Sequence, residues 1–357
     1  MKIAIDGRTM IGQKSGLGCY AESLIENLHK IDKNISIEII KPENNNDLST
    51  PKRIFWDQVL FPIQSMKTKP DLIHKPSFSV PVFSKSKIVV TVHDLIPIIF
   101  PKNLSFFSRM FWTKIMPFSY KYADHIITDS EWSKKDIVRL LKINPKKITV
   151  TPLAARENFL HKPDSKKIDY VQNKFNTGKK YILTVSNLEP RKNFPFLIKV
   201  YKEILEKNPN FEYKLVIVGK KSWGTEKILN DAKGKFSDKI IVTGYVEEKE
   251  LPCLYYGATL FAFPSLYEGF GLTPLEAMAC GVPVICSNAS SLPEVCGDAA
   301  IMLDPTDLDA WVKNIEKMLK STSLRQQYSN KALKQASKFS WQKTAEKTLK
   351  VYRSQLK

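Results

Sequence analysis

The stretch that decides the fold is Phe-Pro-Ser-Leu-Tyr-Glu-Gly-Phe-Gly-Leu-Thr-Pro-Leu-Glu, residues 263–276. A short apolar run of strand length, residues 259–263, leads into it, and a helical pattern, residues 273–280, follows. The loop between them carries Gly269 and Gly271. In a strand–glycine loop–helix unit, backbone N–H groups and the helix dipole meet an anion, and glycine lets that anion approach the backbone closely. The stretch therefore predicts an α/β fold with an anion site at this loop.

Two carboxylates, Glu268 and Glu276, flank the loop. Thr273 followed by Pro274 fits an N-cap with proline at the first helical position, and Glu276 would then complete a capping box. On that interpretation Glu276 serves only the helix. The alternative pairs it with Glu268 near the anion site. Because a carboxylate repels a phosphate, such a pair must bind neutral hydroxyl groups, and sugar hydroxyls are the obvious candidates. The spacing alone leaves both interpretations open.

The sequence of residues 268–276 resembles the Glu-x7-Glu signature of glycosyltransferase family 4, whose retaining enzymes have the GT-B fold. Residues 277–285 and 292–295 also match that family. The resemblance implies an α/β protein with two Rossmann-like domains facing each other across a cleft. It implies that the first glutamate contacts the donor sugar and is catalytic, that the second holds the ribose hydroxyls, and that the backbone between them contacts sugar and diphosphate. The donor-binding residues so implied are Glu268, Gly269, Phe270, Gly271, Leu272, Thr273 and Glu276.

The composition is that of an ordinary globular protein, with 357 residues, 43% hydrophobic and 25% charged. This length accommodates two domains, each with its own core. The first residues do not fit a signal peptide, because Asp6 and Gly7 end the apolar run, and no window approaches the ~18 apolar residues of a spanning helix. We therefore expect a cytoplasmic protein, soluble or peripheral on the inner face of the cytoplasmic membrane. The five cysteines lack metal-ligand spacing and are expected to be reduced thiols. The net charge of +19 favours anionic partners.

A second glycine loop, residues 12–18, lies between a predicted strand at residues 2–6 and a helix that runs to about residue 30. From Gly16 the sequence Gly-Leu-Gly-Cys-Tyr-Ala satisfies the dinucleotide fingerprint G-x-G-x-x-G/A. The ribose-binding carboxylate that such sites require should end the second strand, but residues 36–40 are followed by Lys41 and Pro42. NAD binding is therefore not expected. The loop resembles the family's N-domain glycine loop, and Gly16 is accordingly assigned to donor binding.

Two predicted strands end in histidine, His74 and His93. Open α/β sheets bind ligands beyond the carboxyl ends of their strands, so both histidines are expected to point towards a cleft. A single histidine is more often a hydrogen-bonded structural residue, and His74 keeps that interpretation. From His93 the sequence His-Asp-Leu-Ile-Pro is similar to the family's N-domain active-site turn. This makes His93 a catalytic candidate that orients the sugar or forms a hydrogen bond with it.

The strand–helix alternation breaks once, at residues 152–180, where charged residues and prolines predict an interdomain linker. We therefore expect an N-terminal acceptor-binding domain at residues 1–160 and a C-terminal nucleotide-sugar domain at residues 161–340. In the GT-B fold a last helix crosses back to the N-terminal domain, and residues 341–357 are the candidate on resemblance.

Arg191 and Lys192 lie where a predicted strand hands over to a helix, so both charges can meet phosphates at the helix N-terminus. The sequence Glu-Pro-Arg-Lys-Asn around them resembles the family's diphosphate clamp. Gly244, at the end of another predicted strand, is also assigned to donor binding.

These features and the resemblance together predict a glycosyltransferase that moves a hexose from a nucleotide-diphosphate sugar to a saccharide or lipid-linked saccharide. The resemblance implies that the anomeric configuration is retained. Backbone N–H groups at residues 269–272, with Arg191 and Lys192, can stabilise the leaving diphosphate. No Asp-x-Asp motif or His/Cys cluster with metal spacing occurs, so neither a metal nor another cofactor is expected. Because no carboxylate suits a covalent nucleophile, a same-face mechanism is preferred. Residues 93–97 and 55–58 are similar to mannosyl- and rhamnosyl-type members that build surface polysaccharides, which favours mannose.

Two other functions remain open. A sugar-nucleotide epimerase or a glycosyl phosphorylase could use the same fold without an alcohol acceptor. A non-catalytic polyanion-binding protein would explain the charge, but the basic residues are dispersed and no nucleic-acid module is recognisable, so nucleic acid is not an expected partner.

An anionic membrane surface is a further expected partner. Residues 52–121 hold eleven Lys or Arg against three Asp or Glu. The same region holds Phe106, Phe107, Phe111, Trp112 and Phe118, interleaved with Arg109, Lys114 and Lys121. Basic and aromatic residues mixed on a helix suit a headgroup interface. The alternative is that these aromatics pack the helix onto the sheet.

Overall fold

The computed structural model describes residues 1–11, 16–42, 48–101, 106–220 and 225–357, without the side chain of Lys227. The chain divides into two compact units. Unit 1 comprises Met1–Leu153 with Ser340–Lys357, and unit 2 comprises Ala154–Phe339. The sequence placed the first division at residues 160 and 161.

Unit 1 is built on a parallel six-stranded sheet in the order β2-β1-β3-β4-β5-β6. These strands read as nearly continuous runs of Ile, Val and Leu, the pattern of parallel strands that are covered on both faces. Their bounds are β1 Lys2–Asp6, β2 Ser36–Ile40, β3 Leu72–Lys75, β4 Lys87–Thr91, β5 His125–Thr128 and β6 Ile148–Val150.

Helices connect these strands. They are α1 Gly16–Ile31, α2 Thr50–Phe55, α3 Phe61–Thr68, α4 Ile96–Ile99, α5 Phe106–Met110, α6 Met116–Ser119 and α7 Glu131–Leu141. Helices α2 and α3 form one continuous rod through the π-helical turn Trp56–Leu60, and α5 and α6 form another through the π-helical turn Phe111–Ile115. The wider π turns rotate the exposed face of each rod relative to a regular α-helix.

Unit 2 repeats the plan with a second parallel sheet in the order β12-β11-β10-β7-β8-β9. Its strands are β7 Tyr181–Val185, β8 Lys214–Val218, β9 Ile240–Gly244, β10 Leu260–Phe263, β11 Val284–Ser287 and β12 Ala300–Leu303. Its helices are α8 Ser165–Lys174, α9 Phe194–Lys207, α10 Thr225–Asp231, α11 Leu251–Tyr256, α12 Leu272–Ala279, α13 Leu292–Cys296, α14 Leu308–Lys320 and α15 Thr322–Ala336. Two parallel sheets with helical connections confirm the predicted α/β class.

The predicted linker at residues 152–180 is wrong. This stretch contains α8 and belongs to unit 2 from Ala154 onward. The Asp164 carboxylate caps α8 by accepting from the Lys166 N–H at 2.7 Å. The charged residues that suggested a linker lie on the exposed side of this helix, while Ile168 and Val171 are buried. The stretch was not recognised as a helix because an amphipathic helix with few apolar residues has a mostly polar composition.

The last helix, α16 Trp341–Gln355, belongs to unit 1. It packs along α1, where the Arg353 guanidinium lies 2.9 Å from the Asp32 carboxylate. Its inner face reaches the sheet, because the Tyr352 hydroxyl lies within hydrogen-bond distance of His74 Nδ1, at 2.6 Å. Among the described residues no helix is both long and apolar enough to span a membrane.

His74 lies inside β3 and is fully buried, so it does not point into a cleft as the strand-end position suggested. Its Nε2 lies 2.9 Å from Thr91 Oγ1, and Thr91 Oγ1 lies 2.9 Å from the Tyr20 hydroxyl. Burial lowers the pKa of His74 to about 3, with the charge of His93 adding to the effect. His74 is thus the structural histidine that the sequence suggested, a neutral link between β3, β4 and α16.

Replacing Tyr352 by Phe is expected to lower the free energy of unfolding by about 1–3 kcal/mol, because the buried His74 Nδ1 loses its hydrogen-bond partner. Urea unfolding at neutral pH measures this. Tyr170→Phe, at a side chain that is 63% exposed, is the matched control and should change stability by less than about 0.5 kcal/mol. Equal effects from the two variants would contradict the proposed link.

Candidate active site

The glycine loop after β10 enters α12 through Gly271, whose backbone is left-handed at φ 110°. A Cβ at this position would stand 2.8 Å from Leu292 Cδ2, so both the backbone angle and the space require glycine. Ser291 Oγ fixes the loop by donating to the carbonyl oxygens of Glu268, at 2.9 Å, and Phe270, at 2.7 Å.

The predicted capping box is wrong. Helix α12 begins at Leu272 with Gly271 as the N-cap residue, and no side chain caps it. Thr273 and Pro274 are therefore already the second and third helical residues, and Glu276 lies past the first turn. The left-handed turn at Gly271 starts the helix two residues earlier than a threonine cap would allow. Glu276 therefore does not cap this helix.

The start of α12 leaves a group of backbone donors without acceptors. The N–H groups of Phe270, Gly271, Leu272 and Thr273 donate to no acceptor within the described ranges of the chain. Gly271 is buried, while Leu272 and Thr273 are half-buried. Free N–H groups at a helix start, together with the helix dipole, form an anion site. The loop therefore has the geometry that the sequence predicted for a phosphate.

Glu268 is held next to this anion site by two cations and a hydroxyl. Its Oε1 lies 2.7 Å from Lys192 Nζ and 3.1 Å from Arg191 Nη1, and it accepts from Ser265 Oγ at 2.5 Å. The side chain is only 8% exposed. Burial opposes its ionisation, but the charges of Lys192 and Arg191 outweigh burial and lower the pKa of Glu268. Oε2 has no partner among the residues described, so one carboxylate oxygen can accept from a hydroxyl group.

Arg191 and Lys192 lie in the short 3₁₀ turn Pro190–Lys192 between β7 and α9. The Arg191 carbonyl oxygen also accepts from the Leu266 N–H at 2.9 Å, which joins this turn to the loop after β10. Burial lowers the pKa of Lys192, although Glu268 opposes this. The structure thus brings the two predicted phosphate-binding cations together with Glu268, at adjacent strands of one sheet.

Glu276 is almost fully buried and lies in a separate cluster. Its Oε1 accepts from Arg156 Nε at 2.8 Å and its Oε2 from the Tyr255 hydroxyl at 3.4 Å. Arg156 Nη1 also donates to Glu248 Oε1 at 3.0 Å. Burial raises the pKa of Glu276, with Arg156 acting against it. Arg156 was missed in the sequence, because it lies 120 residues from Glu276 inside the supposed linker.

Of the two remaining glycine candidates, Gly244 ends β9 at φ 73°, and its carbonyl oxygen accepts from the Gly219 N–H at 3.0 Å. Gly16 is the exposed first residue of α1. The rest of the predicted glycine loop, residues 12–15, lies outside the described residues. In its second half, Gly18 is the constrained position, because a Cβ there would stand 2.4 Å from the Thr9 carbonyl oxygen. That glycine serves the close packing of α1.

His93 follows β4 in unit 1, and both of its ring nitrogens face groups that accept hydrogen bonds. Nδ1 lies 2.6 Å from Asp129 Oδ2, and Nε2 lies 2.9 Å from the Pro76 carbonyl oxygen. A carbonyl can only accept, and an ionised carboxylate can only accept, so this geometry favours a ring that donates from both nitrogens. Burial would lower the pKa of His93, but the Asp129 charge outweighs burial and raises it. The geometry and the direction of this shift together favour a protonated ring, while burial also raises the pKa of Asp129.

This arrangement limits the ways in which His93 can contact a substrate. With both N–H groups engaged, a hydrogen bond to a sugar would require the ring to leave Asp129 or Pro76. A fixed positive charge, or orientation of the Pro76 loop, needs no such change. Asp129 was missed in the sequence, because it lies 36 residues from His93.

Replacing Asp129 by Asn is expected to lower the pKa of His93 below its ordinary value, because burial then acts without the compensating carboxylate. A pH titration of ¹⁵N-labelled histidine by NMR measures this, and the wild-type ring should show two protonated nitrogens at neutral pH. His125, whose pKa burial lowers, is the internal reference and should be unchanged. A wild-type His93 that is neutral at pH 7 would contradict the assignment.

Metal ligands are not grouped in this structure. Across the described ranges, no three His, Cys, Asp or Glu side chains lie close enough together to hold an ion.

Two family models match the chain: Glycosyltransferase Family 4 at residues 27–155 and Glycosyl transferases group 1 at residues 165–335. The chain is 33% identical over 283 residues to O-antigen chain mannosyltransferase B of Escherichia coli, covering 79% of this chain and 74% of that protein. It is 32% identical over 282 residues to serotype-specific mannosyltransferase WbdA of Escherichia coli, covering 76% of this chain but only 34%, about a third, of WbdA.

Among solved structures, Anabaena HepE in complex with UDP and glucose superimposes with a TM-score of 0.75 at 15% identity, covering 99% of this chain and 100% of HepE. At that identity the likeness establishes the fold alone, which is GT-B. Together with the family models and the E. coli relative, it confirms the resemblance carried by residues 268–276. The chain belongs to glycosyltransferase family 4.

Proposed function

We propose that this glycosyltransferase moves a hexose, with mannose favoured, from a nucleotide-diphosphate sugar to a saccharide or lipid-linked saccharide, with retention of anomeric configuration. The observation that carries the proposal is the adjacency of Glu268 to the free N–H groups of residues 270–273 in unit 2. One group of atoms can accept from sugar hydroxyls, and the other can donate to a diphosphate.

The chemistry requires stabilisation of negative charge on the leaving diphosphate. The backbone donors at the start of α12 are oriented before the reaction begins. Donors that are preorganised in this way lower the activation energy of a reaction whose transition state develops negative charge. The charge of Arg191 and Lys192 adds to this field, although both cations also bind Glu268. We therefore propose that these groups replace a divalent metal and that no other cofactor is needed.

Glu268 is proposed to position the sugar rather than to attack it. Its Oε1 already accepts hydrogen bonds from Lys192 and Ser265 and forms an ion pair with Arg191, and its lowered pKa makes it a hydrogen-bond acceptor at neutral pH. A same-face reaction, in which the leaving phosphate helps to deprotonate the acceptor hydroxyl, needs no covalent nucleophile. His93 is proposed to supply a fixed positive charge on the acceptor-binding unit.

The mannose preference and the pathway class rest on relatives. O-antigen chain mannosyltransferase B and WbdA of Escherichia coli are mannosyltransferases by name, and the first is an O-antigen enzyme. We infer a role in the synthesis of a surface polysaccharide or lipopolysaccharide. The UDP and glucose bound to HepE support a nucleotide-sugar donor as the substrate class.

Incubation with a panel of nucleotide sugars, with and without oligosaccharide acceptors, tests this function. Acceptor-dependent release of nucleoside diphosphate that survives excess chelator is the expected result. Sugar epimerisation without an acceptor, or phosphate-dependent release of a sugar phosphate, would replace transferase by one of the other functions of this fold. Polyanion binding without turnover would leave only a binding protein.

We also propose that unit 1 docks on an anionic membrane, where a lipid-linked acceptor would reside. Two rods expose apolar side chains. We define the apolar face as Phe55, Val59, Ile63 and Met66 on the first rod and Phe106, Phe107, Met110 and Phe118 on the second, all more than a third exposed. The rods touch where Thr50 Oγ1 lies 3.3 Å from Ser108 Oγ. Exposed apolar area of this kind marks an interface.

The charge around the apolar face supports lipid as the partner. Residues 50–68 and 106–122 hold one acidic side chain, Asp57, and it is fully buried. The exposed charges there are basic, including Arg109, Lys114 and Lys121. The sequence interpretation needs one correction, since Phe111 is core and Trp112 packs on Phe78 with ring centroids 5.5 Å apart. The first rod's apolar stripe was not anticipated.

The two carboxylates are expected to differ in kinetics. Glu268→Gln should chiefly lower turnover, while Glu276→Gln should chiefly weaken donor binding through the ribose. A buried hydrogen bond of ~1–3 kcal/mol corresponds to effects of about one to two decades. Steady-state kinetics with the donor identified above measure both. If both variants keep product formation within a factor of about two, the site assignment is wrong.

Vesicle co-sedimentation tests the apolar face. Binding to phosphatidylglycerol vesicles but not phosphatidylcholine vesicles is expected, weakening as salt rises, because each basic residue near an anionic surface contributes ~1 kcal/mol. Charge reversal at Arg109, Lys114 and Lys121 should abolish it. The same reversal at Lys313, Lys317 and Lys320, which are exposed on α14 of unit 2, changes net charge equally and should preserve binding. Wild-type protein that ignores anionic vesicles at low salt would contradict docking.

A further inference from the structure

The loop after β3 holds a strained aromatic residue. Phe78 has φ 65°, a left-handed conformation that bulky side chains rarely adopt. The chain is fixed on both sides of it, because His93 Nε2 donates to the Pro76 carbonyl oxygen at 2.9 Å and Ser79 Oγ donates to Asp57 Oδ2 at 2.6 Å. Backbone strain that surrounding contacts enforce in this way is concentrated at binding sites. Phe78 also lies just past a carboxyl end of the sheet, where open α/β folds bind ligands.

Phe78 organises two guanidinium groups. The Arg8 guanidinium lies 4.4 Å from the centre of the Phe78 ring, and the Arg53 guanidinium lies 4.9 Å from it. Arg53 also lies 5.7 Å from the ring of Trp112. Stacking occupies the flat face of a guanidinium and leaves its N–H edge for hydrogen bonds. The aromatic pair therefore holds two cationic groups by their flat faces, and Arg53 Nη2 also donates to the Leu48 carbonyl oxygen at 3.2 Å.

Arg8 has a donor with no acceptor. The side chain is more than nine-tenths buried, and its Nη1 donates to Asp57 Oδ1 at 3.0 Å. Its Nη2 is buried and has no hydrogen-bond partner in the part of the chain that the structure describes. Asp57 is satisfied without that atom, since it also accepts from Lys75 Nζ at 2.7 Å. A buried amino group without an acceptor is costly, so it marks a place for one.

We propose that Arg8 and Arg53 bind a phosphate or diphosphate group of the acceptor. A guanidinium edge matches phosphate oxygens, which are strong acceptors with the charge that stacked cations favour. Arg53 and Trp112 come from the two rods that carry the apolar face, so a phosphate bound here continues into that face. A lipid diphosphate would place its head at the arginines and its chain in the membrane. The assignment rests on the proposed function for the identity of the acceptor, but the phosphate site itself does not.

Inorganic pyrophosphate is the first probe, titrated into the full chain by calorimetry. Arg53→Gln and Phe78→Gly should each weaken one binding event about ten- to a hundred-fold, whereas Lys192→Gln should leave that event unchanged. Arg109→Gln removes the same charge from an exposed position of the same unit and is the matched control. Phe78→Gly keeps the left-handed backbone allowed, so it tests the site if Arg8→Gln fails to fold. Equal affinities in wild type, Arg53→Gln and Phe78→Gly would overturn the site.

Vesicles distinguish the two sources of phosphate. Phosphatidylcholine vesicles that contain a polyprenyl diphosphate should bind the wild type, and Arg53→Gln should lose this binding while retaining binding to phosphatidylglycerol vesicles. If Arg53→Gln lost binding equally to both kinds of vesicle, Arg53 would act only as a general surface charge, and the site would be overturned. Pyrophosphate binding without recognition of the lipid diphosphate would assign free phosphate and overturn the lipid source. Failure of transferase activity with the pyrophosphate result intact would contradict the proposed function alone.

Discussion

The buried carboxylate of Glu268, set against Arg191 and Lys192, is the interaction on which the site of unit 2 depends. A carboxylate that is 8% exposed is stable as an ion only if its charge is compensated nearby. The compensating cations come from the turn after β7, and the carboxylate comes from the loop after β10, which is the neighbouring strand. The ion cluster therefore fixes two loops relative to each other.

This cluster has a consequence for the backbone that follows it. With Glu268 fixed and Ser291 holding the Glu268 and Phe270 carbonyl oxygens, the chain must turn sharply to enter α12. Gly271 makes that turn, and the N–H groups of Leu272 and Thr273 after it face no acceptor among the described residues. The donors that can bind a diphosphate and the carboxylate that can bind a sugar are thus set by one network. In unit 1 the His93 ring likewise joins the Pro76 loop to Asp129.

Much of the fold was predictable because its causes are local. Val-Val-Thr, which precedes the turn at His93, and Leu-Phe-Ala-Phe, which precedes the glycine loop, are short apolar runs that predict buried parallel strands in an alternating chain. Glu268, Arg191 and Lys192 were also identifiable, since each follows a strand on the carboxyl edge of one sheet. The start of α12 was not, because a threonine cap and a left-handed glycine both fit this stretch, and the left-handed turn at Gly271 is visible only in the structure.

Partnerships across the chain escaped the sequence for a physical reason. Arg156 contacts Glu276, which lies 120 residues away in the sequence, and Asp129 contacts His93, which lies 36 residues away. Short-range sequence patterns therefore cannot predict either pair. That Glu276 binds the ribose hydroxyls therefore stays a prediction. The ion pair with Arg156 shows that the charge of this carboxylate is already compensated. Apolar side chains on the first rod were overlooked because a π-helical turn breaks the regular helical period.

The most direct test of the account is a crystal structure with an uncleaved nucleotide-diphosphate sugar bound. The account predicts diphosphate oxygens within hydrogen-bond distance of the N–H groups of residues 270–273, and a sugar hydroxyl on Glu268 Oε2 while Lys192 remains on Oε1. A donor whose diphosphate lies away from the start of α12, or whose sugar makes no contact with Glu268, would contradict it.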